Sequence, residues 1–174
     1  MELDKDKPYD FAVVIYEGTD TADRAFDALK DLEKKDALKI HDAAVITRND
    51  QGKIKLDNKG FIAGGKGGAI GLVVGAILGG PILGAVIGWA VGFFRSSDRR
   101  DIRDALNDKL GPTDSALVAV VEDAKWDQVV AATEHLGGEA VHHQLQGESL
   151  AKLEQMANEE PDIEAAAAEE MEIT

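Results

Sequence analysis

The first part of the chain combines short apolar runs with segments in which apolar residues recur at helical spacing. Residues 11–16, FAVVIY, are rich in β-branched and aromatic side chains, which predicts a buried strand. Residues 18–21 supply turn and N-cap chemistry, and the periodic apolar residues that follow, to about residue 35, predict an amphipathic helix. A second strand is predicted from Lys39 to Arg48. Its apolar residues on one predicted face are Ile40, Ala44 and Ile46.

The second half of the chain repeats this order of elements. Residues 116–121, ALVAVV, predict another buried strand, a helix follows through residues 126–132, and a last strand is predicted near residues 139–145. Each strand-helix-strand half is too small to bury its own sheet face, whereas the two halves together can share one sheet. The pattern therefore predicts an α+β fold, a ferredoxin-like βαββαβ sandwich.

Three further elements are predicted around these halves. Residues 49–56 turn the second strand into a short hairpin partner, and a charged helix is predicted over residues 98–110. The narrow apolar stripe of that helix comprises Ile102, Ala105 and Leu106. From Gly147 a further helix is expected, which gives way after Pro161 to an Ala/Glu-rich end that is expected to be frayed or disordered.

Between the two halves lies a stretch without charged residues, from Gly67 to Phe94. Its glycines recur every fourth residue, so each series lines one stripe of a helix. The first series comprises Gly67, Gly71, Gly75 and Gly79, and the second comprises Gly80, Gly84, Gly88 and Gly92. Because glycine costs about 1 kcal/mol relative to alanine within a helix, close packing between helix backbones has to compensate. With a break at Gly79-Gly80-Pro81, the stretch predicts an inserted glycine-zipper helical hairpin.

The flanks of this insertion constrain how it meets a membrane. If the four strands share one sheet, both ends of the insertion lie on the same side of any membrane, so it crosses an even number of times. Each arm of roughly 13 residues is about 20 Å long, which is shorter than the ~30 Å hydrocarbon core. A shallow or re-entrant hairpin is therefore favoured, and Trp89, Phe93 and Phe94 suit a membrane-interface belt.

Basic residues flank both ends of the insertion. They are Lys53, Lys55, Lys59 and Lys66 before it and Arg95, Arg99, Arg100 and Arg103 after it. Under the positive-inside tendency, this predicts association with the cell inner membrane, with the polar domain and both termini on the cytoplasmic side. The polar start of the sequence, MELDKDKPYD, has no apolar signal-peptide region and agrees with a cytoplasmic N-terminus. The alternative is a cytoplasmic protein whose hairpin is buried inside a soluble oligomer.

Composition narrows the classes of partner. The formal net charge of -14 argues against nucleic acid, because duplex binding needs a basic face. Much of this charge is local, since residues 147–174 hold nine Asp or Glu and one Lys. The absence of Cys excludes disulfides, thiolate metal sites and cysteine nucleophiles. The partners that the sequence predicts are other copies of the chain and the lipid bilayer.

No motif assigns a catalytic residue, a cofactor or a metal ligand. Residues 60–67, GFIAGGKG, match the GxxxxGK pattern of a phosphate-binding loop, but glycine stands where Ser or Thr would hold magnesium. His142 and His143 are adjacent on a predicted strand and point to opposite faces, so one metal ion cannot take both within a chain. His41 and His135 have no carboxylate at ligand spacing on a shared helix face. A metal site stays open as an alternative mainly at a symmetric oligomer interface.

With these parts in this order, the chain resembles the uncharacterised bacterial family of predicted membrane proteins with the domain of unknown function 1269. The resemblance rests on the opening FAVVIYEGTDTADRAFDAL, the hairpin DAAVITRNDQGKIKL, the insertion GGAIGLVVGAILGGPILGAVIG and the closing LGPTDSALVAVVED and GGEAVHHQL. It covers residues 9–145, and the tail from Gly147 lies outside the shared pattern. The resemblance implies membrane association and a ferredoxin-like fold, and it implies no activity or catalytic residues.

These patterns together predict a non-enzymatic, membrane-associated homo-oligomer with a structural or stress-related role. The predicted parts are a first βαβ half with its hairpin at 9–56, the glycine-zipper hairpin at 61–94, the charged helix and second βαβ half at 98–145, and the acidic tail at 147–174. The glycine hairpins would mediate assembly and bilayer contact. The alternative, drawn from fold analogy alone, is a soluble oligomeric module that senses a small ligand.

Overall fold

The computed structural model describes residues 4–59, 100–101 and 104–159. The predicted glycine-zipper hairpin at 61–94 lies outside the described residues, together with all of its predicted contact residues. Ile102 of the charged helix and the acidic end after Pro161 lie outside them as well.

The described part of the chain has an α+β fold. Its strands are β1 (Pro8–Glu17), β2 (Lys39–Arg48), β3 (Ile54–Asn58), β4 (Asp114–Glu122) and β5 (Glu139–Gln146). Its α-helices are α1 (Thr21–Glu33), α2 (Trp126–Thr133) and α3 (Gly147–Glu159). A π-helix, Ala105–Lys109, precedes β4, and a 3-10 helix, Glu134–Leu136, follows α2. The predicted strands, the hairpin partner, α1, α2 and α3 are present, with small differences in their ends. Of the charged helix predicted over 98–110, the described residues show helical structure at 100–101 and 104 and the π-helix at Ala105–Lys109.

The strands form one five-stranded sheet in the order β3-β2-β4-β1-β5. Every neighbouring pair is antiparallel. The strand after the insertion, β4, therefore lies between β1 and β2, two strands from before the insertion. The two halves of the chain share one sheet, as the repeat predicts.

Each face of the sheet has its own apolar core. On the first face, which we call the α1 face, α1 packs Phe26, Leu29 and Leu32 over the odd-numbered positions of β4. On the opposite face, Leu106 of the π-helix and Leu150 of α3 pack with the even-numbered positions of β4. The second layer is thus supplied partly by the tail helix, whose first residue also donates its backbone N–H to the carbonyl oxygen of Lys7, at 2.9 Å.

A β-bulge in β2 changes which face its residues occupy. Ile40 pairs with Val121, but the next paired residue is Asp42, opposite Val120, so His41 is the extra residue. Ile40 consequently packs in the α1-face core, whereas Ala44 and Ile46 pack in the opposite core. The prediction that these three side chains share one face is therefore wrong for Ile40, because the extra residue shifts the alternation of the strand.

The start of α1 is stabilised by a residue from the far end of the sequence. Asp20 occupies the N-cap position, but its side chain makes no capping hydrogen bond. Instead, the Ser115 hydroxyl of β4 accepts a hydrogen bond from the Ala22 backbone N–H at 3.0 Å and donates one to the Gly18 carbonyl oxygen at 2.6 Å. The local cap that the sequence predicts is thus replaced by a contact across the fold, which ties α1 to the central strand.

Within residues 4–59, 100–101 and 104–159, no helix combines the length and the apolar character needed to cross a bilayer.

Candidate functional site

A cleft lies between α2 and the α1 face of the sheet. Although Trp126, Val129 and Ala132 of α2 face the sheet, none of the residues of this helix is fully buried. Val130 leaves 58% of its surface exposed. The sheet below α2 carries small or branched side chains, including Ala12 and Val14 of β1, Ala119 of β4 and Ala140 of β5. The space that these side chains leave beneath the helix has a volume of about 670 Å³.

Tyr16 and Gly138 both line the cleft and pack closely against each other. A Cβ atom on Gly138 would lie 2.7 Å from Cε1 of Tyr16 and 3.0 Å from Cγ1 of Val14, and its φ of +119° disfavours other residues. The Tyr16 ring is buried, and burial raises its pKa to about 12. The phenol therefore stays uncharged at neutral pH and can donate or accept a hydrogen bond.

The mouth of the cleft is formed by an aromatic pair and an acidic residue. The rings of Trp126 and His142 meet edge to face with their centroids 4.9 Å apart. His142 Nε2 lies 3.2 Å from Oδ1 of Asp10, which orients the imidazole. Glu134 follows α2 and is exposed at the same cleft. Among the described residues that line the cleft, none is Lys or Arg.

A second group of polar side chains surrounds Glu122 at the end of β4. Its carboxylate is 4% exposed and accepts from Lys7 Nζ at 2.6 Å, while His41 Nε2 lies 2.7 Å from its other oxygen. Lys39 Nζ is 3.5 Å away, and the Tyr9 ring contacts the His41 ring edge to face at 4.7 Å. The bulge in β2 carries His41 into this cluster, which we call the Glu122 cluster.

Opposing effects set the pKa of Glu122. Burial alone raises the pKa of this carboxyl, but the hydrogen bonds from Lys7 and His41 and the charge of Lys39 outweigh it and lower the pKa to about 2. The hydrogen bond from Lys7 to Glu122 in turn raises the pKa of that lysine. The cluster therefore holds a buried, ionised carboxylate and joins β2 and β4 to the start of β1, while Lys7 and Lys39 stay partly exposed. The arrangement is structural, since every short contact in it is internal.

The histidines of β2 and β5 lie in different parts of the fold. His142 belongs to the cleft, while His143 lies opposite Phe11 in the register of β5 and β1, on the other face. The two therefore point to opposite faces, as the alternation of a strand requires. His41 has a carboxylate partner after all, because the antiparallel pairing of β2 and β4 brings Glu122 to it. In the described part of the chain, no three His, Asp or Glu side chains come together as potential metal ligands.

The contact residues that the sequence predicts and the site residues of the structure are different sets. All twelve predicted residues, from Gly67 to Phe94, lie outside the described residues, so the structure neither brings them together nor separates them. Sequence reasoning missed Tyr16, Glu122 and Gly138. One signal was available, a Gly-Gly pair directly before a predicted strand, since paired glycines mark close backbone approach.

We expect the Glu122 cluster to make stability depend on pH. A folded pKa of about 2 against an ordinary value of 4.5 means that the stabilisation is complete above about pH 4.5 and is lost as the pH falls towards 2. The shift corresponds to a contribution on the order of 3 kcal/mol. Glu122→Gln should therefore lose about that much at pH 7 and should show a flatter dependence between these pH values, in urea unfolding followed by circular dichroism.

The matched control is Glu148→Gln, which removes an exposed carboxylate bonded to Lys152. We expect its pH profile to follow that of the wild type closely, because an exposed ion pair contributes little. A Glu122→Gln variant with the same slope as the wild type would show that Glu122 is not coupled to folding.

The close approach of Gly138 and Tyr16 gives a second prediction. Gly138→Ala should destabilise the protein by about 3 kcal/mol, because the methyl group meets the ring and the backbone conformation is strained. Gly52→Ala, in the turn before β3 at φ +78° with open space around it, should cost about 1 kcal/mol. Thermal unfolding with near-ultraviolet circular dichroism would measure both, and equal losses in the two variants would contradict the predicted clash.

Comparison with known proteins places the chain in a family. Searches of curated proteins and of solved structures gave no match. A family model described as "Protein of unknown function (DUF1269)" matches residues 64–158. The match includes most of α3, so the prediction that the tail from Gly147 lies outside the shared pattern is wrong up to residue 158. Because the matched region exceeds half of the 174 residues, the chain belongs to the DUF1269 family.

Proposed function

We propose that the chain is a non-catalytic protein that self-assembles at the cell inner membrane through its glycine-rich insertion, in a structural or stress-related role. One observation carries the proposal: β4, which follows the insertion, is hydrogen-bonded on one side to β1 and on the other to β2. The elements on both sides of the insertion, β3 before it and the π-helix and β4 after it, therefore belong to the same sheet domain.

This connection limits how the insertion can meet a bilayer. A segment that crossed once would place β4 and β2 on opposite sides, and the pairing of these strands would be lost. An insertion in the bilayer therefore enters and leaves on one side. The glycines at four-residue spacing support a hairpin whose arms pack against each other and against other copies, since small residues allow helix backbones to approach closely.

The strand order supports a ferredoxin-like arrangement of the polar domain. When the hairpin strand β3 is set aside, the order is β2-β4-β1-β5, with antiparallel neighbours throughout and with α1 and α2 on one face. On this basis we propose a βαββαβ unit in which the insertion occupies the connection between the two halves. The polar domain and both termini would face the cytoplasm.

A second candidate function is a soluble, oligomeric module that senses a small ligand. The cleft under α2 favours it, because its volume of about 670 Å³ falls within the usual range of small-molecule sites and its walls are mostly apolar. In this case the glycine-rich insertion would be buried inside the assembly.

Cell fractionation with a carbonate wash separates the two candidates. If the insertion is embedded in the bilayer, the protein should stay in the membrane pellet, because carbonate releases proteins held only by surface contacts. Release of the protein into the soluble fraction would refute the embedded hairpin and would favour the soluble module.

The role of the glycines in assembly has its own test. Gly75→Leu and Gly84→Leu place a bulky side chain on the two predicted contact stripes, so we expect a smaller assembly by light scattering of the purified protein. Val74→Leu is the matched control, since it adds bulk one residue away from the glycine series. The circular dichroism of the sheet domain should not change in any of these variants. An unchanged assembly mass for both glycine variants would contradict the glycine-zipper proposal.

A further inference from the structure

We propose that the cleft between α2 and the sheet binds a flat, apolar molecule that is uncharged or positively charged. The inference rests on the second proposed function and names the chemical class of its ligand. The size of the cleft, the charges around it and the aromatic rings that line it support this ligand class.

The size of the cleft follows from the side chains that line it. Ala12, Ala119 and Ala140 supply only methyl groups on the sheet side, and no residue of α2 packs closely enough against the sheet to be buried. A folded protein ordinarily closes such a space by packing, since interiors have few voids larger than a water molecule. The remaining volume of about 670 Å³ suits a molecule of two or three fused rings.

The charged residues around the cleft disfavour an anionic ligand. Glu134 lines the cleft, Asp10 stands behind His142, and no described lining residue is Lys or Arg. The lysine that directly precedes α2, Lys125, donates its Nζ to the Asp36 carbonyl oxygen at 2.8 Å and is thereby held at another point of the surface. An anion would lose its hydration in an apolar site without gaining a cationic partner, which is costly.

Aromatic rings favour a flat ligand. Trp126 and His142 stand at the mouth, and Tyr16 also lines the cleft. Such rings bind flat molecules by stacked or edge-to-face contacts, and the indole face also attracts a cation. The Tyr16 hydroxyl and the His142 imidazole supply the few polar groups that orient a ligand in a mostly apolar pocket.

A matched pair of dyes tests the ligand class. Phenylnaphthylamine is uncharged and apolar, whereas anilinonaphthalene sulfonate carries the same ring system with a sulfonate. The full chain has two tryptophans, so in a Trp89→Phe background the quenching of Trp126 reports binding at the cleft. We expect the uncharged dye to quench Trp126 with at least about tenfold higher affinity than the anionic dye, a difference of about 1.4 kcal/mol.

Two variants locate the binding. Ala140→Leu fills the cleft from the sheet side and should weaken binding of the uncharged dye by about tenfold or more. Gln144→Leu, on the same strand and face but outside the cleft lining, is the matched control and should leave the affinity unchanged. Glu134→Lys changes an exposed charge at the mouth without touching either core, and it should strengthen binding of the anionic dye. It therefore keeps the test decisive if Ala140→Leu folds poorly.

The outcomes separate the ligand class from the function itself. Equal or tighter binding of the anionic dye, still weakened by Ala140→Leu, would leave the cleft as a ligand site and overturn the proposed ligand class. If neither dye quenches Trp126, or if Ala140→Leu and Glu134→Lys change neither affinity, the cleft is not a ligand site. The second proposed function would then fail with it.

Discussion

The pairing of β4 between β1 and β2 is the interaction on which the rest of the structure depends. Alternate side chains of this strand complete the two cores, since Leu117, Ala119 and Val121 face α1 whereas Val118 and Val120 face Leu106 and Leu150. Without β4, neither face of β1 and β2 has a complete partner. The entropy cost of closing a longer loop grows only slowly with its length, so the sheet can accommodate the long connection that separates β3 from β4.

Polar groups at both ends of β4 fix its position. At the first end, the Ser115 hydroxyl bonds the start of α1, and at the other end the Glu122 carboxylate bonds Lys7 and His41. Both groups are buried, so a shift of β4 by one residue would leave their polar atoms without these partners as well as exchanging the two apolar faces. The alternation of apolar residues therefore determines which side chains of β4 face each core, while Ser115 and Glu122 fix the register of the strand.

The sequence predicts the strands and α1 because the apolar pattern within each segment is local and regular. The limits of β2 are those expected, from Lys39 to Arg48. The bulge at His41 could not be predicted, since one extra residue changes the face of Ile40 without changing the composition of the strand. The cap from Ser115 and the partner of His41 could not be predicted either, because each contact joins residues about 80 or more positions apart.

Sequence reasoning missed the cleft for a related reason. The periodicity of α2 predicts an apolar face, but only the sheet beneath it shows that alanines leave that face incompletely packed.

The cleft and the segments next to the insertion lie on opposite faces of one sheet. The cleft opens on the α1 face, whereas the segments next to the insertion pack on the other face: Ile54 and Leu56 of β3 before it, and Ala105 and Leu106 of the π-helix after it. β4 follows the insertion in the chain and contributes side chains to both faces. A ligand that moved α2 relative to the sheet would therefore act on this strand. Ligand binding in the cleft, which the soluble candidate requires, and assembly through the insertion, which both candidates require, would thus involve the same central strand.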